Sequence, residues 1–171
     1  MTLKTNPAAT VTIASDREVI ITRSFDAPRW LVYDAMTKPE HLVHWWGPNG
    51  TTLVVCEIDL RVGGAWHYVV RGADGVDHGF SGVYQELTPP ERIVSTEGYD
   101  LVPGHDYLVT ATFEERDGKT YLTSHLRYNS IEDRDGHLNS GMERGMQETY
   151  YRLDEHLAQQ LAKLGHSGET A

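Results

Sequence analysis

The stretch NSGMERGMQETYYRLDEHLAQQLAKL, residues 139–164, decides how the rest of this chain folds. Its apolar residues recur at steps of three and four and therefore share one face of an α-helix: Met142, Met146, Tyr150, Leu153, Leu157, Leu161 and Leu164. Ser140 and Glu143 form a capping box at the start, and Lys163 followed by Gly165 marks the end. The stretch predicts a single helix of about seven turns, roughly 40 Å long at about 1.5 Å per residue.

A strand and two short helices are predicted near the beginning of the chain. Residues 18–25 (EVIITRSF) are rich in β-branched side chains, which is typical of a strand. Asp26 is the expected cap of a first short helix that has Pro28 in its first turn. Thr37 and Glu40 form a second capping box, which predicts that another short helix begins there.

Six further strands are predicted in the middle of the chain, separated by turn signals such as Gly63-Gly64 and Asp117-Gly118. They cover residues 52–60, 65–71, 77–87, 92–99, 107–116 and 120–128. Each connection is short, so the simplest topology is an antiparallel meander. Many strand positions alternate in polarity, which predicts one packed face and one solvated face.

The 171 residues suit one domain that is long enough to bury its own core. We expect that domain to cover residues 17–164. Residues 1–16 are rich in Thr and Ala and predict a flexible N-terminal arm, with an extension of the first strand as the alternative. Residues 165–171 predict a C-terminal tail. Residues 130–136 (SIEDRDG) predict a charged loop that leads into the long helix.

Charge and composition exclude several classes of function. There are 15 Lys and Arg residues against 25 Asp and Glu residues, so the net charge is −10, which argues against nucleic acid and anionic membranes as partners. The single cysteine, Cys56, excludes an internal disulfide and fits a reducing compartment. No apolar stretch approaches the roughly 20 residues of a membrane span, and no targeting signal is visible. The sequence predicts a soluble cytoplasmic domain.

Five short motifs, taken in their order and spacing, resemble one family. They are Phe25-Asp26-Ala27-Pro28, Trp45-Trp46-Gly47-Pro48, Asp59-Leu60-Arg61 with Gly63-Gly64, Pro89-Pro90-Glu91-Arg92, and Ser140-Gly141-Met142-Glu143. The resemblance spans residues 17–162 and is to the SRPBCC (START-like, birch-pollen-allergen-like) helix-grip superfamily. Within it, the chain resembles the branch named for homologues of the heat-shock protein 90 ATPase activator.

The resemblance implies an α+β helix-grip fold, in which a curved antiparallel sheet wraps around the long C-terminal helix and two short helices follow the first strand. It also implies a cavity for an apolar ligand between sheet and helix. Gly145-Met146 departs from the Gly-Trp pair that many relatives carry. The ligand preference of the relatives with Trp therefore does not carry over to this chain.

Aromatic and methionine side chains on elements expected to face the interior are the candidate ligand-binding residues, because ligand pockets are largely apolar and Met adapts to varied shapes. They are Trp45, Trp46, Trp66, Tyr68, Tyr99, Met142, Met146 and Tyr150. Ordinary core packing is the alternative for each of them. Asp59, Arg61 and His125 are candidate polar anchors for the ligand, with a solvent-facing strand surface as the alternative.

Two residue pairs need a separate interpretation. His41 and His44 lie three apart on a predicted helix, but no His-Glu-x-x-His pattern or Cys pair accompanies them, so we expect a solvated pair and no metal. Gly141 and Gly145 lie inside the predicted long helix, where each glycine costs about 1 kcal/mol relative to alanine. They indicate a close approach of the helix backbone, either to the sheet or to a ligand.

Three classes of function fit the sequence. The first is binding or carriage of a small hydrophobic or aromatic molecule; the second is a polyketide-cyclase-like or small-hydrolase enzyme; the third is a co-chaperone of a heat-shock protein 90 type ATPase. No nucleophile motif appears, so no catalytic residue and no cofactor are predicted. An inward acid–base pair with shifted pKa values would favour an enzyme. The partners considered are a small hydrophobic molecule, a chaperone and a second copy of the chain in a homodimer.

Overall fold

The fold consists of eight strands and four helices, as seen in a computed structural model that describes residues 6–169, with side chains as far as residue 165. In chain order these elements are β1 Thr10–Ser15, β2 Glu18–Phe25, α1 Arg29–Thr37, α2 Pro39–Trp45, β3 Thr52–Ile58, β4 Ala65–Arg71, β5 Asp77–Thr88, β6 Arg92–Tyr99, β7 Tyr107–Arg116, β8 Lys119–Arg127, α3 Ile131–Leu138 and α4 Met142–Glu169. The predicted α+β class is confirmed. None of the helices in the described part of the chain is long and apolar enough to cross a membrane.

All eight strands form one antiparallel sheet in the order β1-β2-β8-β7-β6-β5-β4-β3. Strands β3 to β8 follow one another in chain order, which confirms the predicted meander. Strand β2 then pairs with β8 along its whole length, from Glu18 opposite Arg127 to Phe25 opposite Thr120. The chain's beginning is thereby brought beside its last strand.

The core lies between the helices and one face of the sheet, which we call the inner face. Its fully buried side chains come from strands and helices alike and include Phe25, Val32, Phe113, Leu153 and Leu157. A second cluster, around Val19, Leu126 and Tyr128, lies beside the first half of α4. Tyr150 packs against both clusters, so the apolar face of α4 joins them.

The long helix begins and ends elsewhere than predicted. The expected loop at residues 130–136 is helix α3, whose first turn is capped by Ser130 accepting a hydrogen bond from the Asp133 backbone N–H at 3.1 Å. Ser140 donates its hydroxyl hydrogen to the His137 carbonyl at 2.6 Å, so it closes α3 and does not cap α4. Gly141 has φ +84°, which separates the two helices. Helix α4 continues past Gly165 to Glu169.

The prediction of a flexible N-terminal arm is wrong for the described residues. Strand β1 pairs with β2, and the residues before it lie along α4. The Gln147 side chain accepts from the Ala9 N–H and donates to the Ala9 carbonyl, both at 2.9 Å. Asn6 donates to Asp154 Oδ1 at 3.1 Å. Residues 1–5 of the predicted arm and residues 170–171 of the predicted tail lie outside the described residues.

The two short helices form where predicted, but their predicted caps are wrong. Pro28 and Lys38 occupy the N-cap positions, and neither side chain accepts a capping hydrogen bond from a backbone N–H of its helix. The Thr37 hydroxyl instead donates to the Tyr33 carbonyl at 2.9 Å inside the last turn of α1. A buried hydrogen bond of 2.9 Å from the Trp45 indole N–H to the Ala35 carbonyl holds the two helices together.

Candidate ligand pocket

Aromatic side chains cover the inner face at the β4–β6 part of the sheet. Trp66 and Tyr68 alternate with outward residues on β4, and their ring centroids lie 4.6 Å apart. Trp46, which follows α2, meets Tyr68 at 4.9 Å and Phe80 at 5.3 Å in edge contacts. Phe80 stacks on Tyr99 of the neighbouring strand at 5.2 Å. Four of the predicted ligand-binding residues therefore lie in one aromatic group.

Three more predicted residues lie on the inward side of α4. Met142 and Met146 pack against the second core cluster, which β2 and β8 provide. One turn further along, the Tyr150 ring meets Phe25 edge-on, with ring centroids 5.4 Å apart. All three are half-buried, whereas Leu153 on the next turn is fully buried. The helix face predicted from the sequence is thus the face that α4 turns toward the sheet.

Trp45 does not lie with the other predicted residues. It is buried in the main core, and its indole N–H is already bonded to the Ala35 carbonyl. The sequence offered two interpretations for each aromatic residue, and for Trp45 the structure favours core packing.

The three predicted polar anchors also lie elsewhere. Asp59 and Arg61 occupy the exposed turn after β3 and form an ion pair with each other at 2.8 Å. His125 lies on the outer face of β8, where it bonds the Glu18 carboxylate. None of these side chains reaches the inner face, because strand alternation and the β3–β4 turn direct them to solvent.

A polar cluster that the sequence did not single out occupies the inner face at one end of the sheet. Glu97 and Tyr107 face each other across β6 and β7, and the Tyr107 hydroxyl bonds Glu97 Oε2. Beside them, the Tyr128 hydroxyl lies 2.6 Å from His137 Nδ1. The Tyr107 ring centroid is 5.1 Å from that of Tyr128 and 4.9 Å from that of His137. We call these four residues the inner polar cluster.

The inner polar cluster is strongly desolvated. Burial raises the pKa of the Glu97 carboxyl, although the Tyr107 hydrogen bond opposes part of this effect. Burial and the nearby Glu97 charge hold the pKa of Tyr107 well above its ordinary value. Burial alone lowers the pKa of His137 to about 4. At neutral pH, His137 is therefore uncharged and supplies no cation to the interior.

The period-two pattern of β6 contained a signal for Glu97. Ile93, Ser95, Glu97 and Tyr99 share one face of that strand, and Ile93 is buried in the main core. A charged residue on a strand usually faces solvent, and that general tendency outweighed the alternation. His137 could not be found in this way, because it lies between the predicted loop at residues 130–136 and the predicted long helix that begins at Asn139.

His41 and His44 are joined by a third histidine from α4. His41 Nδ1 lies 2.8 Å from Nε2 of the buried His156, and the His44 ring stacks on His156 at 5.3 Å. Burial is the main cause that lowers the pKa of His156 to about 4. Among the described residues, no group of three or more His, Cys, Asp or Glu side chains could hold a metal ion. The histidines form a contact between α2 and α4.

The two glycines of the predicted long helix do not mark close packing. Gly141 lies in the break before α4, and Gly145 lies in the first turns of that helix. A Cβ atom added to either glycine would meet nothing within 4 Å. The backbone of α4 at Gly145 therefore borders open space, and the prediction of a close helix–sheet approach is wrong there.

Two surface depressions lie at the β1–β2 turn and next to it. One, of about 560 Å³, is lined by residues 15–18 and Arg127 at the β1–β2 turn. The other, of about 500 Å³, shares Arg17 and Arg127 with the first and reaches Tyr107 and Tyr128 of the inner polar cluster. Both are open and rich in polar groups, so they do not match the enclosed apolar sites that small hydrophobic molecules occupy.

The antiparallel sheet, with its long C-terminal helix across one face, defines a helix-grip protein of the SRPBCC superfamily. A sequence profile described as activator of Hsp90 ATPase homolog 1-like protein matches residues 26–158. The chain belongs to this family. No curated protein sequence matches the chain.

Several crystal structures are similar to this chain over most of its length. A protein from Rhodobacter sphaeroides is 29% identical with a TM-score of 0.83, and the match covers 89% of this chain and 99% of that one. A protein from Mycobacterium smegmatis is 26% identical with a TM-score of 0.78, covering 87% and 96%. The AHSA1 protein from Silicibacter pomeroyi is 23% identical with a TM-score of 0.68, covering 84% and 99%, and shows the fold alone.

Proposed function

We propose that the protein binds a small hydrophobic or aromatic molecule between the inner face of the sheet and helix α4. One observation carries the proposal: several inward side chains are desolvated and yet keep part of their accessible surface. Glu97, Tyr107 and Tyr150 are half-buried, while burial is the leading cause of the raised pKa of each. Side chains that border an enclosed space have both properties.

The most deeply buried core residues do not share this combination. Phe25, Phe113, Leu153 and Leu157 are almost completely inaccessible, as expected of close-packed interior residues. Glu97 and Tyr107 lie where β6 ends and β7 begins, and Tyr150 lies in the first half of α4. These positions support a pocket at that end of the domain.

The side chains there suit a hydrophobic molecule with one polar group. The aromatic group of Trp46, Tyr68, Phe80 and Tyr99 offers flat apolar surfaces. Met142 and Met146 add flexible apolar walls. The inner polar cluster supplies the few polar contacts that orient a ligand in such sites.

Nile red, an uncharged solvatochromic dye, should bind the native protein saturably with about one dye per chain. Replacing Met146 with Trp should weaken dye binding, because the larger ring takes ligand volume. The extra apolar surface that the tryptophan buries stabilises the fold by about 25 cal/mol per Å², so the melting temperature should stay unchanged or rise slightly. Fluorescence titration and thermal unfolding of both proteins measure these effects.

Leu164→Trp is the matched control, because Leu164 is 50% exposed on the same helix and its replacement adds a tryptophan outside the pocket. This variant should bind the dye as the wild type does. If residue 146 is instead close-packed, the tryptophan overpacks the core and costs about 1–3 kcal/mol. That loss of stability, or an absence of saturable dye binding by the wild type, would contradict the proposal.

A second candidate function is acid–base catalysis on the bound molecule. Glu97 and Tyr107 form the inward pair with shifted pKa values that favours an enzyme such as a polyketide-cyclase-like protein. Ligand binding stands first because it requires only the pocket, whereas catalysis also requires a reacting group placed against Glu97. For the co-chaperone alternative, the family description is the supporting observation.

A further inference from the structure

We infer that the pocket selects a neutral aromatic molecule with a hydroxyl group that donates a hydrogen bond to Glu97, and that it discriminates against carboxylates. The inference rests on the proposed function, since it specifies the ligand of the same pocket. It separates phenol-like ligands from fatty acids and aromatic acids, which have a similar apolar body but an anionic head group.

The first argument is the position of Glu97. Its side chain lies on the inner face between Tyr99, which belongs to the aromatic group, and Tyr107. The Tyr107 hydroxyl occupies Oε2, and the half-buried side chain keeps accessible surface. A carboxylate can accept several hydrogen bonds, so Glu97 can accept one more from a ligand. A hydroxyl donor would make a charge-assisted bond there.

The second argument is that Arg23 on β2 and Arg152 on α4 already donate to protein groups, Arg152 to the Gly47 carbonyl at 2.7 Å. Among residues 6–165, Arg23 is the only arginine or lysine on the inner face of the sheet. Its guanidinium is already bonded to both carboxylate oxygens of Asp154 and to the Ser24 carbonyl. His137 is the one imidazole of the inner polar cluster, and burial keeps it neutral.

The third argument is the charge that an anionic ligand would meet. Glu97 lies two residues before Tyr99 on the same face of β6, and burial raises the pKa of its carboxyl. A second carboxylate beside it would add like-charge repulsion in a water-poor space. The chain's net charge of −10 acts in the same direction at longer range. A neutral hydroxyl compound meets neither penalty.

Three probes with one ring system test the inference: 2-naphthol, which is a neutral donor, 2-methoxynaphthalene, which lacks the donor, and 2-naphthoate, which is an anion. Affinities are measured at a slightly alkaline pH by calorimetry or by displacement of Nile red. We expect 2-naphthol to bind about 10-fold or more tightly than 2-naphthoate, with 2-methoxynaphthalene between them. Such a ratio supports the inference without any variant.

Glu97→Gln isolates the role of the carboxylate. Its amide oxygen can still accept from Tyr107, but the negative charge is gone. We expect this variant to bind 2-naphthol roughly 3- to 10-fold more weakly and 2-naphthoate more tightly than the wild type. Glu114→Gln is the matched control, because Glu114 is exposed on the outer face of β7, and it should leave both affinities unchanged.

The outcomes separate the inference from the proposed function. If 2-naphthoate binds as tightly as 2-naphthol, or if Glu97→Gln leaves their ratio unchanged, the inference is overturned while the pocket stands. Binding of Nile red without binding of any naphthalene probe also overturns the inference alone. If neither Nile red nor a naphthalene binds, both the inference and the proposed function are overturned.

Discussion

Replacing Asp154 with alanine should lower the free energy of unfolding by about 3–5 kcal/mol, because it leaves a buried cation without its counterion. Arg23 has only 1% of its side chain exposed, and its guanidinium meets the Asp154 carboxylate in two hydrogen bonds of 2.5 and 3.1 Å. Its Nε is buried without a hydrogen-bond partner, so the pair with Asp154 carries most of the compensation. Urea denaturation of the variant and the wild type measures the loss.

An exposed ion pair provides the matched control. Arg71 and Asp77 form a comparable two-bond pair, but their side chains are 53% and 44% exposed, so Asp77→Ala should cost about 0–1 kcal/mol. A double variant with Arg23→Met and Asp154→Leu removes both buried charges and should recover most of the stability. A loss below about 1 kcal/mol for Asp154→Ala would show that water compensates Arg23 in the folded chain.

Acid should destabilise the protein through His137 and His156. Both have a pKa of about 4 in the folded chain against an ordinary value of 6.5, so between these values the unfolded chain binds more protons. The contribution of the two neutral histidines to the free energy of unfolding is therefore fully present above pH 6.5, and it is lost as the pH falls toward 4. For His137 the upper limit of this loss is about 3 kcal/mol. Urea unfolding across that pH range measures it.

The environments of the two histidines explain why both resist protonation. His137 faces Tyr107 and Tyr128, while His156 faces His41, His44 and Lys163. His156→Gln should flatten the dependence of stability on pH relative to the wild type. His105→Gln is the control, because its side chain is 56% exposed and the slope should remain. An unchanged slope in His156→Gln would contradict the role assigned to His156.

The sequence predicted the strands well because their signal is local. Strands β4, β6 and β7 have the predicted bounds 65–71, 92–99 and 107–116, where alternating residues are bordered by Gly, Pro or Asp turns. Short connections then left an antiparallel meander as the simplest arrangement. The long helix was equally clear from its 3.6-residue period, since Leu153 and Leu157 are among the most buried residues of the chain.

Features that depend on distant residues could not be predicted in this way. The segment before β1 is held by Gln147, which lies 138 residues away from Ala9. Ser140 can cap a following helix or close a preceding one, and the sequence does not distinguish the two roles. His156 meets His41 only because α2 and α4 pack together. The Gln147 and His156 contacts are made by tertiary structure and leave no periodic pattern.

The residues of the proposed pocket could be predicted only in part for the same reason. Residues at strand and helix periods, such as Trp66, Tyr68, Met142 and Met146, lie on the inward faces as expected. The predicted polar anchors Asp59 and Arg61 do not lie on an inward face. Two polar residues at a spacing of two can belong to a strand or to a turn, and here they form an ion pair in the exposed turn after β3. The inner polar cluster combines β6, β7, β8 and α3, so its members become neighbours only after the sheet has formed.

The location of the ligand can be measured most directly with the methionine methyl groups. The chain has four methionines, Met1, Met36, Met142 and Met146. Met142 and Met146 border the proposed pocket, whereas Met36 belongs to α1 and packs against the main core. With ¹³C-methyl-methionine protein and 2-naphthol, we predict intermolecular nuclear Overhauser effects to Met142 and Met146 and none to Met36. Saturable binding without effects at Met142 and Met146 would contradict a pocket between the sheet and α4.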